Sequence, residues 1–411
     1  MVFALSASLA AQTSLDLANN AEQLIRAGHS QEALATLRRA SSEAGQSAES
    51  EDKIGFLLAV LGDGSSAHEH FRKSVAINAR YAPAHYHLGA ADWLANEKQE
   101  GLRELEIAVQ LMPANFEYRY RLGAAYLEMA DFEKASGELK RAVALQGATE
   151  PAWRSLGQAL RGKDDLTGAV AAYERGLQIK EDDEDARNEL STLLIEMREP
   201  ERGIQEANRV LRHDPRNLSA RMNLGYAYLK TGEFVKAEAA YRAAVDSDAK
   251  SAAPHYDLGI ALKMQDQLDS ARAEFRKAVE LDPTLAEAHY SIGIIAWQSG
   301  DFPAMVEAMK AAIATRPEYA QAHYMLGIGL QASGRQDEAI GELHEAIRLD
   351  PTTPGPYNKL GQILRVKGDK QGSAEAFATG ARLKKEKDAQ LAGNLDQGMR
   401  GGETPKPISA K

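Results

Sequence analysis

Residues 252–285 read AAPHYDLGIALKMQDQLDSARAEFRKAVELDPTL, and residues 286–319 read AEAHYSIGIIAWQSGDFPAMVEAMKAAIATRPEY. Laid over one another without a gap, they match Leu258-Gly259 with Ile292-Gly293, His255-Tyr256 with His289-Tyr290, Ala278 with Ala312 and Pro283 with Pro317. Stepping outward by the same 34 residues finds glycine at 55, 89, 123, 157, 225, 259, 293, 327 and 361, with Ala21 and Ser191 in the two remaining slots. Ten of these eleven small residues follow Leu or Ile. A period of this length, unbroken by insertion or deletion, means one helical hairpin copied many times. Function is then expected on a surface rather than in a catalytic pocket.

With the Leu-Gly pair numbered 7 and 8, units start at residues 14, 48, 82, 116, 150, 184, 218, 252, 286, 320 and 354. Positions 20 and 27 are each Ala in seven units, while position 32 is Pro in five. Glycine inside a helix costs about 1 kcal/mol relative to alanine, so a glycine held at position 8 needs a cause, and close approach of two backbones supplies it. Gly28, Gly62, Gly232, Gly300, Gly334 and Gly368 at position 15 suit a left-handed helix end, and the position-32 prolines stop the second helix.

Trp153-Arg154-Ser155-Leu156-Gly157, Asn223-Leu224-Gly225-Tyr226, and Ala271, Phe275, Ala278 and Pro283 together resemble the tetratricopeptide repeat (TPR) pattern. The resemblance covers eleven units over residues 14–387 and implies an all-α fold, a right-handed α-solenoid of helix-turn-helix units. Three units depart from the pattern: the third with Gly101, the sixth with Ser191 and Gly203, the ninth with Met305 and Met309. Looser packing is expected there, with the sixth a candidate flexible point.

A net charge of −10 argues against a nucleic-acid binder, and no apolar run is long enough to cross a membrane. The absence of cysteine excludes disulfides and thiol chemistry without fixing a compartment. Residues 1–13 are apolar and end in small residues, as the latter part of a signal peptide would, or as an Ala-rich lead-in to the first helix; the former places the protein in the periplasm or outside the cell. Residues 388–411 lose the repeat grammar and read as a mostly disordered tail.

The search for chemistry yields no catalytic residue, cofactor motif or metal site. His85, His255, His289 and His323 recur at position 4, but equivalent positions in stacked units lie too far apart to share a metal and read instead as packing residues. His68 and His70, two apart on a helix, point to different sides. No Ser/His/acid grouping stands out, and no GxxxxGK[ST] phosphate loop occurs.

Positions 5, 9 and 12 of each first helix form a stripe beside the packing face. In proteins of the TPR family that stripe lines a concave groove holding an extended peptide or a helix. In this chain it begins with Tyr86, Trp93, Tyr120 and Leu127 and ends with Tyr256, Ile260, Tyr290, Ile294, Trp297, Tyr324 and Ile328. Such aromatics serve either partner contact or packing between repeats. Between these stretches, Arg154 and Arg161 share a face and could hold a partner's carboxylate or phosphate, or simply be solvated. The Lys/Asn clamp and the asparagine ladder of some family members are absent. The expected function is a non-enzymatic scaffold or assembly factor that binds protein, without cofactor. The alternatives are a recognition subunit for a catalytic chain elsewhere and a structural spacer.

Overall fold

The structure, a computed structural model, describes residues 2–42, 47–145 and 149–400. Among them are 22 α-helices and no strand. The chain forms two compact units, Met1–Glu206 and Ala207–Lys411, with the boundary inside one helix.

The first unit carries α1 (Val2–Arg26), α2 (Ser30–Ser42), α3 (Ala48–Val60), α4 (Gly64–Ile77), α5 (Ala82–Leu94), α6 (Lys98–Leu111), α7 (Phe116–Glu128), α8 (Phe132–Val143), α9 (Glu150–Gly162), α10 (Leu166–Ile179) and α11 (Glu184–Glu196). The boundary falls within α12 (Pro200–His213). The second unit continues with α13 (Leu218–Thr231), α14 (Phe234–Ser247), α15 (Ala252–Met264), α16 (Leu268–Leu281), α17 (Ala286–Gln298), α18 (Phe302–Thr315), α19 (Ala320–Ala332), α20 (Gln336–Leu349), α21 (Pro354–Val366) and α22 (Lys370–Arg400). After α1, every odd-numbered helix begins on the residue at which the 34-residue period starts a unit.

Within each unit an odd helix packs on the even helix that follows, and that helix packs on the next odd one, as α15 on α16 and α16 on α17. Odd helices also touch their odd neighbours, α3 with α5, α7 with α9, α13 with α15 and α19 with α21. In each unit the first helices thus share a layer, as in an α-solenoid.

The turn chemistry repeats as regularly as the helices. All eleven residues at position 15 have positive φ, from 57° to 86°, six of them glycine and the others Asn96, Ala130, Asp164, Arg198 and Asp266. Asp63, Asp131, Asp165 and Asp301, one residue later, accept a hydrogen bond from the first turn of the second helix. Asn115, Asp183 and Asn217 at position 34 do the same for the next first helix.

The Leu-Gly glycines lie against position 24 of their own unit. A β-carbon on Gly225 would stand 2.5 Å from the Tyr241 ring, and one on Gly259 2.6 Å from Phe275. Two of the departures expected to loosen packing fill their space in other ways. Met305 and Met309 are fully buried, with the Met309 methyl filling the space over Gly293. Ser191 donates its hydroxyl to the Gly203 carbonyl at 2.8 Å, the glycine making room for the larger residue.

At the ends, α1 starts before the expected repeat, at Val2, and α22 continues through Arg400 rather than ending near 387. The side chains of residues 1–11, on which the export expectation chiefly rests, and residues 401–411 of the expected tail lie outside the described residues.

Candidate functional site

The recurrent histidines serve the fold. His85 Nδ1 lies 2.5 Å from Glu104 Oε2 and its Nε2 3.0 Å from the Ala79 carbonyl; His323 makes the same contacts with Glu342 at 2.6 Å and the Pro317 carbonyl at 2.9 Å. His255 joins Glu274 at 2.7 Å. Among the described residues, positions 4 and 23 form such a staple in six repeats; the position-4 donors His289 and Arg221 have Ala308 and Ala240 at position 23, and His289 holds the Pro283 carbonyl at 3.1 Å. Arg187 takes Glu206 and the Glu181 carbonyl, and Arg119 takes Glu138 and the Pro113 carbonyl. In the second 34-residue repeat the types are exchanged, with Glu51 at position 4 and His70 at position 23, 2.5 Å apart. Where position 4 is Trp153 or Tyr357, position 23 is Ala172 or Ala376. This coupling across 19 residues is present in the sequence and was visible only by comparing the two columns together.

Two groupings that sequence reasoning did not foresee follow from these pairs. Ser41 Oγ lies 3.0 Å from His70 Nε2, completing a Ser-His-Glu series. Glu51 and His70 occupy the staple positions, so the series is the staple with a serine added. His68 points away from His70 and lies 2.6 Å from Asp92, with Glu97 near enough that the three could share an ion. The direct His68 to Asp92 hydrogen bond accounts for that approach.

The stripe is divided by its polar chemistry. In the first unit, Tyr86 stacks on Tyr118 at 4.7 Å and donates its hydroxyl to Glu117 at 3.0 Å. Burial, then the Glu117 charge, pushes that phenol up from its ordinary range. Tyr120 stacks on Phe116, and Leu127 leans on the core. Trp93 departs from the expectation of an open groove residue: it is 8% exposed and its indole N–H donates to Glu128 at 2.9 Å. Arg161 binds Glu189 at 3.1 Å and Glu196 at 2.8 Å. Arg154 lies 3.3 Å from Glu150 and 3.4 Å from Asp185. Both arginines, expected to be open to a partner's anion or solvated, are therefore engaged within the chain. A cavity of about 540 Å³ also opens among α8, α9 and α10, beside Trp153 where the staple is replaced by Ala172. It lies on the packing side of α9, off the stripe.

In the second unit the stripe remains apolar. Tyr256, Ile260, Tyr290, Ile294, Tyr324 and Ile328 are half-buried and lean on the core with one side. Tyr290 meets Tyr319 at 5.1 Å, and Tyr324 lies over Gly355, where a β-carbon would come within 3.0 Å of the ring. Burial raises the phenols of Tyr256, Tyr290 and Tyr324. Trp297 differs from its neighbours in being 45% exposed, outside every core cluster.

With this geometry in view, comparison with known proteins is direct. Family models described as tetratricopeptide repeat match residues 120–185, 188–254, 290–354 and 17–39, and one described as TPR repeat matches 264–300. The chain is a tetratricopeptide repeat protein. The TPR repeat-containing protein PA0015 of Pseudomonas aeruginosa is 39% identical over 59 residues, 14% of this chain and 56% of that protein, so this chain spans little more than half the length of that relative. Among solved structures, MamA from Desulfovibrio magneticus RS-1 is 23% identical over 42% of this chain and 97% of its own, with a TM-score of 0.39. YrrB, described as a TPR protein with an unusual peptide-binding site, is 21% identical over 46% and 96%, with a TM-score of 0.38. The Cut9–Hcn1 structure matches 87% of this chain and 85% of its own at 13% identity and a TM-score of 0.48. TPR arrays are protein-interaction scaffolds as a class, and among the described residues no helix is long and apolar enough to cross a membrane.

Proposed function

We propose that this TPR protein is a non-enzymatic scaffold or assembly factor that holds a peptide or helical segment of a protein partner against the first-helix face of its second unit, chiefly α15, α17 and α19. The observation that carries the reading is Trp297. Its large side chain stands nearly half exposed at the edge of a row of half-buried Tyr and Ile, with no described packing role. Covering it and its neighbours would desolvate a continuous apolar strip, while the phenol hydroxyls fix the register of the bound chain.

The test is photo-crosslinking from a benzophenone amino acid placed at residue 297 in the full-length protein, combined with affinity capture by the unmodified chain and by the Tyr290→Ala, Trp297→Ala variant. Trp297→Ala alone serves as the variant that leaves packing intact. The expected result is one protein crosslinked at residue 297 and lost from both variants while their circular dichroism is unchanged. Equal capture by all forms would return these aromatics to a purely structural role.

A further inference from the structure

Asp257 lies on α15 at position 6, beside the stripe. Only two units carry a carboxylate at this position, Glu189 and Asp257. Glu189 is met by Arg161, which occupies position 12 of the preceding repeat. The residue at that position before Asp257 is Leu229, so the cation is missing from the equivalent place. Among the described residues Asp257 has no hydrogen bond and no ion pair. Two phenols lie close enough to feel its charge, Tyr241 on α14 and Tyr256 on its own helix, and Tyr226 on α13 stands near Tyr241. The lysines on these helices do not pair with it. Lys230 sits over the Tyr226 ring at 5.1 Å, and Lys263 has no contact with the carboxylate. Asp257 is only half-buried, so a ligand on the stripe can reach it.

A carboxylate deprived of water and given no counter-ion is unfavourable by itself and becomes favourable when a cation arrives. Here burial alone pushes its pKa up to about 6. The rings around it also favour a cation, through their negative faces. We infer that Asp257 receives an arginine or lysine side chain of an extended partner segment whose flanking apolar residues lie on Ile260, Tyr290 and Ile294. This rests on the groove reading above and names the partner's chemistry: a basic residue set among apolar ones. Arginine fits best, because its planar guanidinium can bind the carboxylate and lie on a phenol ring together.

The experiment uses fluorescein-labelled short peptides of Leu, Ile, Tyr and Ser that differ only in a central Arg, Lys, norleucine or Glu. Their binding to the full-length protein and to D257N, D257K and the Y290A/W297A variant is read by fluorescence anisotropy. The expected result is about tenfold tighter binding of the Arg peptide than of the norleucine peptide. That preference disappears in D257N and turns toward the Glu peptide in D257K. Binding that depends on Tyr290 and Trp297 but ignores the central residue would overturn the role of Asp257 and leave the groove standing. Binding indifferent to Tyr290 and Trp297, or no binding by any peptide, would overturn both.

Discussion

The first-helix faces of the two units are built on one repeat grammar and satisfy their polar groups in opposite ways. In the first unit the two polar side chains at position 12 reach forward to acids of the next repeat: Trp93 to Glu128, and Arg161 to Glu189 and Glu196. In the second unit position 12 carries Leu229, Lys263, Trp297, Gln331 and Arg365, the last lying over the Phe377 ring, and the face keeps an unpaired Asp257 and an exposed Trp297. A face whose polar groups pair with each other is complete as it stands. One that leaves an indole in water and a carboxylate without a cation is stable only at a local cost, of the kind recognition sites commonly carry.

The largest expected effect that would break this contrast is on Asp257 itself. Its carboxyl is neutral in both folded and unfolded chains well below the ordinary aspartate value. Between there and about 6, the unfolded chain has released the proton that the folded chain retains, so rising pH weakens the fold, and above about 6 the loss is complete. Asp257→Asn removes the penalty and should raise the stability of the second unit at neutral pH by up to about 3 kcal/mol, about two pKa units at about 1.4 kcal/mol each. The difference between wild type and variant, followed by urea unfolding from acid to neutral pH, should grow through that window. A flat difference, or a variant less stable at neutral pH, would mean that Asp257 has a partner in solution and that the two faces are alike.

The next effect compares the faces through their large side chains. Arg161→Ala leaves Glu189 and Glu196 without their cation and should cost about 0.5–1 kcal/mol, a modest figure because all three side chains retain solvent. Trp93→Phe loses an indole hydrogen bond beneath the surface and should cost about 1 kcal/mol. Trp297→Phe, with no such bond and half its area in water, should stay within about 0.5 kcal/mol of wild type. Matching losses at Trp93 and Trp297 would show that the second face is packed against something internal.

The sequence analysis and the structure part company at the level where these differences arise. The 34-residue period carries the helix starts, the left-handed turn at position 15 and the close approach at position 8, because each depends on residues within one hairpin. The same period puts the tyrosines and isoleucines of the second face at positions 5 and 9, where they are half-buried. Trp93 and Arg161 were placed on an open stripe because their satisfaction depends on Glu128, Glu189 and Glu196, which belong to the next repeat. Asp257 passed unnoticed because nothing about an aspartate at position 6 is unusual; what matters is the Leu229 that stands where Arg161 stands elsewhere. The His/Glu staples were missed for a related reason: the spacing of the histidines marks them as packing residues, but what they pack against is visible only beside the column of glutamates 19 residues away.

The most local effect concerns the turns, where the units also differ. The first unit holds Asn96, Ala130, Asp164 and Arg198 in the left-handed region, whereas the second has glycine at every such turn it contains except Asp266. Asn and Asp can relieve the strain through local hydrogen bonds, and alanine has no means to do so. Ala130→Gly should therefore stabilise the α7–α8 hairpin by about 0.5–1 kcal/mol, the relief of the left-handed strain exceeding the entropy that glycine loses on folding. The reverse exchange, Gly300→Ala, places a β-carbon with nothing within 4 Å, so its cost would come from the dihedral alone and should be of similar size and opposite sign. Because repeat arrays can open locally, amide hydrogen exchange within α7–α8 and α17–α18 is the appropriate measure. Slower exchange in the first hairpin and faster exchange in the second would identify the turns as a source of unequal local stability. No change at Gly300→Ala would remove turn strain from the contrast and leave it to the side chains of the two faces.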